Sequence, residues 1–237
     1  MGQKNLTGRT GMFMKECSRW KYKRYFIILI VLQAAVTALA DDRIVITDFS
    51  PGVDAKGVPY GWELKEKSGQ ADLSIVKDPG SHTLRLRSAN TSFSIQKKVS
   101  VDIKQYPILS WKWKATKLPE GGDFRNSETD DQTAQIFLAF SRPKAIVYIW
   151  DTTAPEGLMG DADAPFFMSI KVVVVRSGPN SLGKWITETR NVYQDYRDLF
   201  GDEEKSLKVS GIRIQINSQH TKTSAESFFG DMIFQKK

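Results

Sequence analysis

Apolar and polar residues alternate along several short stretches of this chain. Leu109, Trp111 and Trp113 share one parity, and Ser110, Lys112 and Lys114 the other. Ile212, Ile214 and Ile216 alternate with Arg213, Gln215 and Asn217, and Leu84 and Leu86 with Arg85 and Arg87. Successive side chains of a strand point to opposite faces, so each stretch predicts a strand with one face in a core and one in water. Residues 172–175 are apolar on both parities and predict a strand covered on both sides.

Comparable runs between turn signals fall at 43–49, 61–66, 72–77, 83–87, 92–103, 108–114, 133–140, 145–150, 168–176, 183–188, 211–217 and 227–234. Many short strands with little helix predict an all-β sandwich or barrel. One helix interrupts them, at about 191–200. Asn191 can cap it, Gln194 follows three residues on, and Gly201 can end it. Val192, Tyr193, Tyr196, Leu199 and Phe200 supply its apolar stripe. Evenly spread Pro and Gly predict one domain over 41–237. Two long polar segments, 117–131 and 151–164, are the candidate functional loops.

The formal charge of +7 would suggest a nucleic-acid partner if it were spread over the fold. It is not: residues 1–40 hold seven bases and one acid, leaving +1 for the remainder. The same segment runs from basic Lys21, Lys23 and Arg24 into an uncharged apolar stretch ending Ala38-Leu39-Ala40. That order predicts an export signal peptide, with an uncleaved membrane anchor as the alternative. The expected location is therefore periplasmic or secreted. Cys17, the one cysteine, precedes the apolar stretch, so the remainder has no disulfide or thiol chemistry.

No phosphate-cradling glycine loop, dinucleotide fingerprint or serine-hydrolase elbow is present, and no cofactor is expected. Asp123, Glu128, Asp130 and Asp131 lie within nine residues, and Asp161 and Asp163 form a second acidic pair. Carboxylates suit Ca²⁺ or general acid and base work; the first group lacks the spacing of the known calcium loop, and the second could form a calcium loop or one half of an acid pair. Metal binding is left open. His82 and His220 are far apart and offer no zinc motif. Trp111 and Trp113 share the parity of Leu109 and are expected in the core. The facing of Tyr148 and Trp150 is open, because their neighbours Val147 and Ile149 are equally apolar.

Several motifs in order resemble a known family. They are Ser110-Trp-Lys-Trp113, Leu118-Pro119, Asp130-Asp131 leading into Ala134-Gln-Ile-Phe-Leu138, Tyr148-x-Trp150, and Val174-Val-Arg-Ser-Gly178. Trp185, the run from Arg190 to Tyr196, Phe200-Gly201 and Gly230-Asp231-x-Ile233 complete the pattern. Together they resemble the bacterial proteins grouped as domain of unknown function 3047, over roughly residues 49–234. The resemblance implies an exported protein and a jelly-roll-like antiparallel sandwich, similar to galactose-binding and carbohydrate-binding modules. It implies no activity. Where the family pattern is Asp-rich, after the strand ending at Asn217, this chain reads Asn217-Ser-Gln-His-Thr221. A metal held by those acids in relatives would not be held the same way here.

The leading expectation is an exported, non-catalytic binding module for a glycan or another polar cell-envelope ligand. The candidate contacts are Trp150, Asp151, Asp130, Asp131, Arg213, Gln215 and Asn217, with Arg190 and Asp195 beside the helix. A salt bridge anchoring that helix would explain the last two equally well. A glycan hydrolase or lyase using the loop carboxylates, and a structural partner-binding protein, are the alternatives. No nucleic-acid partner is expected, and membrane contact only through the leader.

Overall fold

The alternating stretches become strands of two facing sheets. The computed structural model describes residues 41–78, 80–141, 143–201 and 207–236. Contacts divide the chain after Asp41, and the sandwich occupies the unit Asp42–Lys237. The leader expected over 1–40 lies outside the described residues. Among the described residues no helix is long and apolar enough to cross a membrane.

The described residues form thirteen strands and one helix, in order: β1 (Arg43–Thr47), β2 (Glu63–Ser68), β3 (Asp72–Asp78), β4 (Ser81–Ala89), β5 (Ser92–Asp102), β6 (Ile108–Lys117), β7 (Ala134–Phe140), β8 (Lys144–Asp151), β9 (Met159–Asp161), β10 (Ser169–Ser177), β11 (Ile186–Asn191), α1 (Val192–Phe200), β12 (Lys208–Asn217) and β13 (Ser224–Gln235). One sheet runs β11-β6-β13-β4-β3, with β1 also on β13. The other runs β2-β5-β12-β7-β8-β10-β9. Pairing is antiparallel except between β8 and β10, which are parallel. β9 lies inside the segment expected to be loop, at the sheet's edge beside β10.

The inward faces meet in an aromatic core. Trp111 of β6 stacks on Tyr148 of β8 at 5.3 Å between ring centroids, and Trp113 lies 5.8 Å from Trp150. Ile212, Ile214 and Ile216 of β12 join the same core, as their parity predicted. Tyr148 and Trp150 face inward because both faces of β8 are covered. Val147 and Ile149 point the other way, into a smaller apolar cluster with Val172, Val174 and Ala154. Phe124, Leu158 and Ala162, all from the two long loops, roof that cluster.

The helix forms where its signals lie. The Asn191 carboxamide accepts a bond from the Gln194 amide N–H at 3.0 Å, and Gly201 ends it in the left-handed region at φ 66°. Gly201 donates its N–H to Arg197 O, satisfying a carbonyl the last turn leaves open.

Candidate functional site

The loop roof covers only the β8–β10 side of the outer face of the seven-stranded sheet. The rest, over β5, β12 and β7, is open. Strand register lays one row across it: Glu63, Gln96, Arg213, Phe137, Val147 and Val172. The next row reads Lys65, Ser94, Gln215, Gln135, Ile149 and Val174. The first row turns apolar at Phe137 and the second at Ile149.

Two adjoining hollows occupy this face, with volumes of about 550 and 300 Å³. Phe137, Ile170 and Arg213 line both, so together they form one groove. Trp62, Gln96, Lys98 and Met168 bound the larger end, and Lys67, Asp130, Asp163, Gln215 and His220 the smaller. Arg213 holds its guanidinium 5.2 Å from the Phe137 ring centroid. One of its N–H groups donates to the Gln96 carbonyl at 3.5 Å. The Gln215 side chain is half-buried and has no hydrogen-bond partner among the described residues.

Several expected contacts are instead taken up by the scaffold. Trp150 is 1% exposed, and its indole N–H donates to Gly178 O at 3.2 Å. Inward parity puts it beneath the sheet, away from the groove. Asp151 is wholly buried and accepts from the amides of Phe124, Thr153 and Ala154 at 3.0, 2.8 and 2.8 Å. It pins both long loops to the sheet. Burial pushes its carboxyl above the usual range, and those three amides pull it back down.

Asp131 is also fully buried. It accepts from Thr221 N at 2.6 Å, Thr221 Oγ1 at 2.8 Å and Asn217 Nδ2 at 3.0 Å. Asn217 is saturated as well. Its carbonyl accepts from Gln132 N and Gln135 Nε2, and its amide nitrogen also donates to Asp130 O. Arg190 grips Asp195 through two N–H groups at 2.9 and 2.5 Å, and the Tyr148 hydroxyl donates to the same carboxylate at 2.6 Å. That buried cluster ties α1 to both sheets, as the anchoring alternative anticipated, and lies apart from the residues lining the groove.

Three expected contacts therefore line the groove with unsaturated groups: Arg213, Gln215 and Asp130. Asn217 borders it with its hydrogen bonds already made. Asp130 is half-buried, and burial raises its carboxyl above the ordinary value, while its bond from Gln132 Nε2 at 2.8 Å and the neighbouring His220 oppose the rise. A raised folded-state pKa means the folded protein holds the proton more tightly than the unfolded chain. Ionised Asp130 then costs stability once pH exceeds its folded pKa, and costs nothing below the unfolded value. Asp130→Asn is expected to raise the melting temperature at pH 7 and to leave it unchanged near pH 3. Thermal unfolding at the two pH values checks this, and an equal effect at both would reject it.

Among the described residues no group of three or more His, Cys, Asp or Glu is arranged to hold a metal ion. Asp123 is taken by Arg125 and Thr153, and Asp161 by Lys171. Of the two acidic loops, only Asp130 and Asp163 reach the groove. His82 lies on β4, in the other sheet. Sequence reasoning missed Gln96, Phe137, Lys98 and Ile170. A signal existed for two of them: Gln96 and Phe137 have the parity opposite to core Ile95 and Ile136.

The molecule is thus a two-sheet β-sandwich with a polar and apolar groove on one outer face. The chain belongs to the family described as Protein of unknown function (DUF3047), whose model matches residues 60–233. A search of curated proteins finds no match. Among solved structures the chain is similar to the family 11 carbohydrate-binding module of a cellulosomal cellulase of Clostridium thermocellum. The identity is 10%, with 82% of this chain and 95% of that one covered and a TM-score of 0.43. It is also similar to the endoglucanase cel12A from Rhodothermus marinus, at 8% identity, with 82% and 99% covered and a TM-score of 0.45. A third is the xyloglucanase domain of NopAA, a type three effector from Sinorhizobium fredii, in complex with cellobiose. There the identity is 11%, the coverage 75% and 94%, and the TM-score 0.45.

Proposed function

We propose that the groove over β5, β12 and β7 binds an extended glycan and that the protein acts as a binding module. The observation that carries the reading is the join of two surfaces in one open groove. Unsatisfied polar side chains, Gln215 and Arg213, lie beside an apolar floor of Phe137, Ile170 and Ala139. A sugar ring presents hydroxyls at its rim and C–H groups on its faces, and needs both kinds of partner. Binding sites of this kind are mostly apolar, with a few placed polar groups that set orientation.

A glycan array probed with the full chain tests the reading. Wild type is expected to bind a defined subset of oligosaccharides. Gln215→Ala removes a hydrogen-bonding amide and is expected to weaken that binding about fivefold. Ala139→Trp fills the floor and is expected to abolish it, with the melting temperature of both variants within a few degrees of wild type. Binding that survives both substitutions would place the ligand elsewhere, and an array without signal would reject the reading.

One observation favours catalysis. Asp130, with its raised pKa, and Asp163 line the same end of the groove. A carboxylate pair of that kind would release new reducing ends from a bound glycan. Prolonged incubation without product leaves binding alone.

Export to the periplasm belongs to the same proposal and is supported by the basic and apolar order of residues 21–40. Fractionation of cells expressing the full chain, with N-terminal sequencing of the product, tests it. Cytosolic retention with an intact N-terminus would reject it.

A further inference from the structure

We propose that the ligand is an anionic glycan whose carboxylate seats on Arg213, an inference that rests on the groove being the glycan site. Four arginines of this fold are matched to carboxylates. Arg85 pairs with Glu226, Arg125 with Asp123, Arg176 with Glu188 and Arg190 with Asp195. Arg213 has no carboxylate partner among the described residues. Its contacts are the Phe137 ring and one long bond to Gln96.

The surroundings hold that guanidinium ready. The Phe137 ring lies against it, and Gln96 steadies one edge. Gln96 is itself held, donating from Nε2 to Glu63 at 3.1 Å. Glu63 could have answered the positive charge, but it is engaged by Lys65 and Gln96. A guanidinium carries five N–H donors in a planar fork, so most of them remain for a ligand. That fork matches a carboxylate with two parallel bonds. Solvent reaches Arg213, yet the groove walls withdraw enough water to lower its pKa from the ordinary value. A partly desolvated cation without a counter-charge is costly, and an anionic ligand removes that cost.

Charge is distributed to match. Lys97, Lys98 and Arg213 line the larger end, whose acid, Glu63, is already engaged by Lys65. The smaller end carries two acids, Asp130 and Asp163, beside Lys67 and His220. The anion is therefore read at the junction and the larger end, and uncharged sugar at the smaller.

Polygalacturonate and its methyl-esterified form share a backbone and differ in charge, so they isolate the carboxylate. Affinity electrophoresis of the full chain in each, with dextran sulfate as a third polymer, supplies the test. Wild type is expected to bind polygalacturonate at least about tenfold more tightly than the ester, the range for a hydrogen bond to a charged group. Arg213→Gln is expected to erase that difference, with its melting temperature within a few degrees of wild type. Equal binding of both pectins by wild type would overturn the inference and leave the groove reading standing. Binding of neither would also overturn it, and the array decides the groove reading independently. Binding of dextran sulfate as tight as polygalacturonate, and indifferent to Arg213→Gln, would show attraction to general basic charge and overturn the carboxylate assignment.

Discussion

Asp195→Ala is expected to destabilise the protein by about 3–5 kcal/mol, the cost of removing one partner from a buried ion pair. The carboxylate is almost fully buried and receives two N–H bonds from Arg190 and one O–H bond from Tyr148. Its loss leaves a guanidinium and a phenol without their acceptor. Burial raises the Tyr148 pKa well above the phenol value, so the hydroxyl stays protonated and serves only as a donor. In a domain of this size the change lowers the melting temperature by about 10 °C. Denaturant unfolding measures it directly. Glycan affinity per folded molecule should be unchanged, because the cluster lies off the groove. Unchanged stability with lost binding would return Asp195 and Arg190 to the binding site.

Asp131→Ala is expected to cost about 3 kcal/mol by a different route. No cationic side chain pairs with Asp131 among the described residues. The buried carboxylate closes the turn after β12 onto the start of β7 through Thr221 N, Thr221 Oγ1 and Asn217 Nδ2. The two side-chain donors have second partners, Thr223 and Asp130 O, but the Thr221 amide has no other acceptor among the described residues. Asp131→Asn should recover part of the loss, since its Oδ1 still accepts one of these donors. The effect also reaches the groove, because His220 sits in the released turn at the smaller end. Equilibrium unfolding of the two variants checks the order. Equal stability of Asp131→Ala and wild type would show that the three bonds contribute nothing net.

These residues show what was legible in the chain. Alternation placed Trp111, Trp113 and the Ile212, Ile214 and Ile216 series inside, because polar partners of opposite parity marked the outside. It could not decide between Trp150 and Ile149, where both parities are apolar and both faces are covered. The helix was legible because Asn191 and Gly201 act locally. Polar type alone misled at Asp131, Asp151 and Asn217. A buried Asp or Asn that satisfies backbone amides has the same sequence appearance as one that awaits a ligand. The groove itself depends on register between strands distant in sequence. Gln96, Phe137 and Arg213 become neighbours only because β5, β12 and β7 align them.

The six-stranded sheet has its spine in the last strand. β6 lies along one side of β13, and β4 and β1 lie end to end along the other. A nascent chain lacking Ser224–Gln235 has nothing to join these three strands, so half of the sandwich cannot assemble until that strand has been made. Deleting Ser224–Gln235 should therefore abolish the native state, where an equal cut in a surface loop would only weaken it.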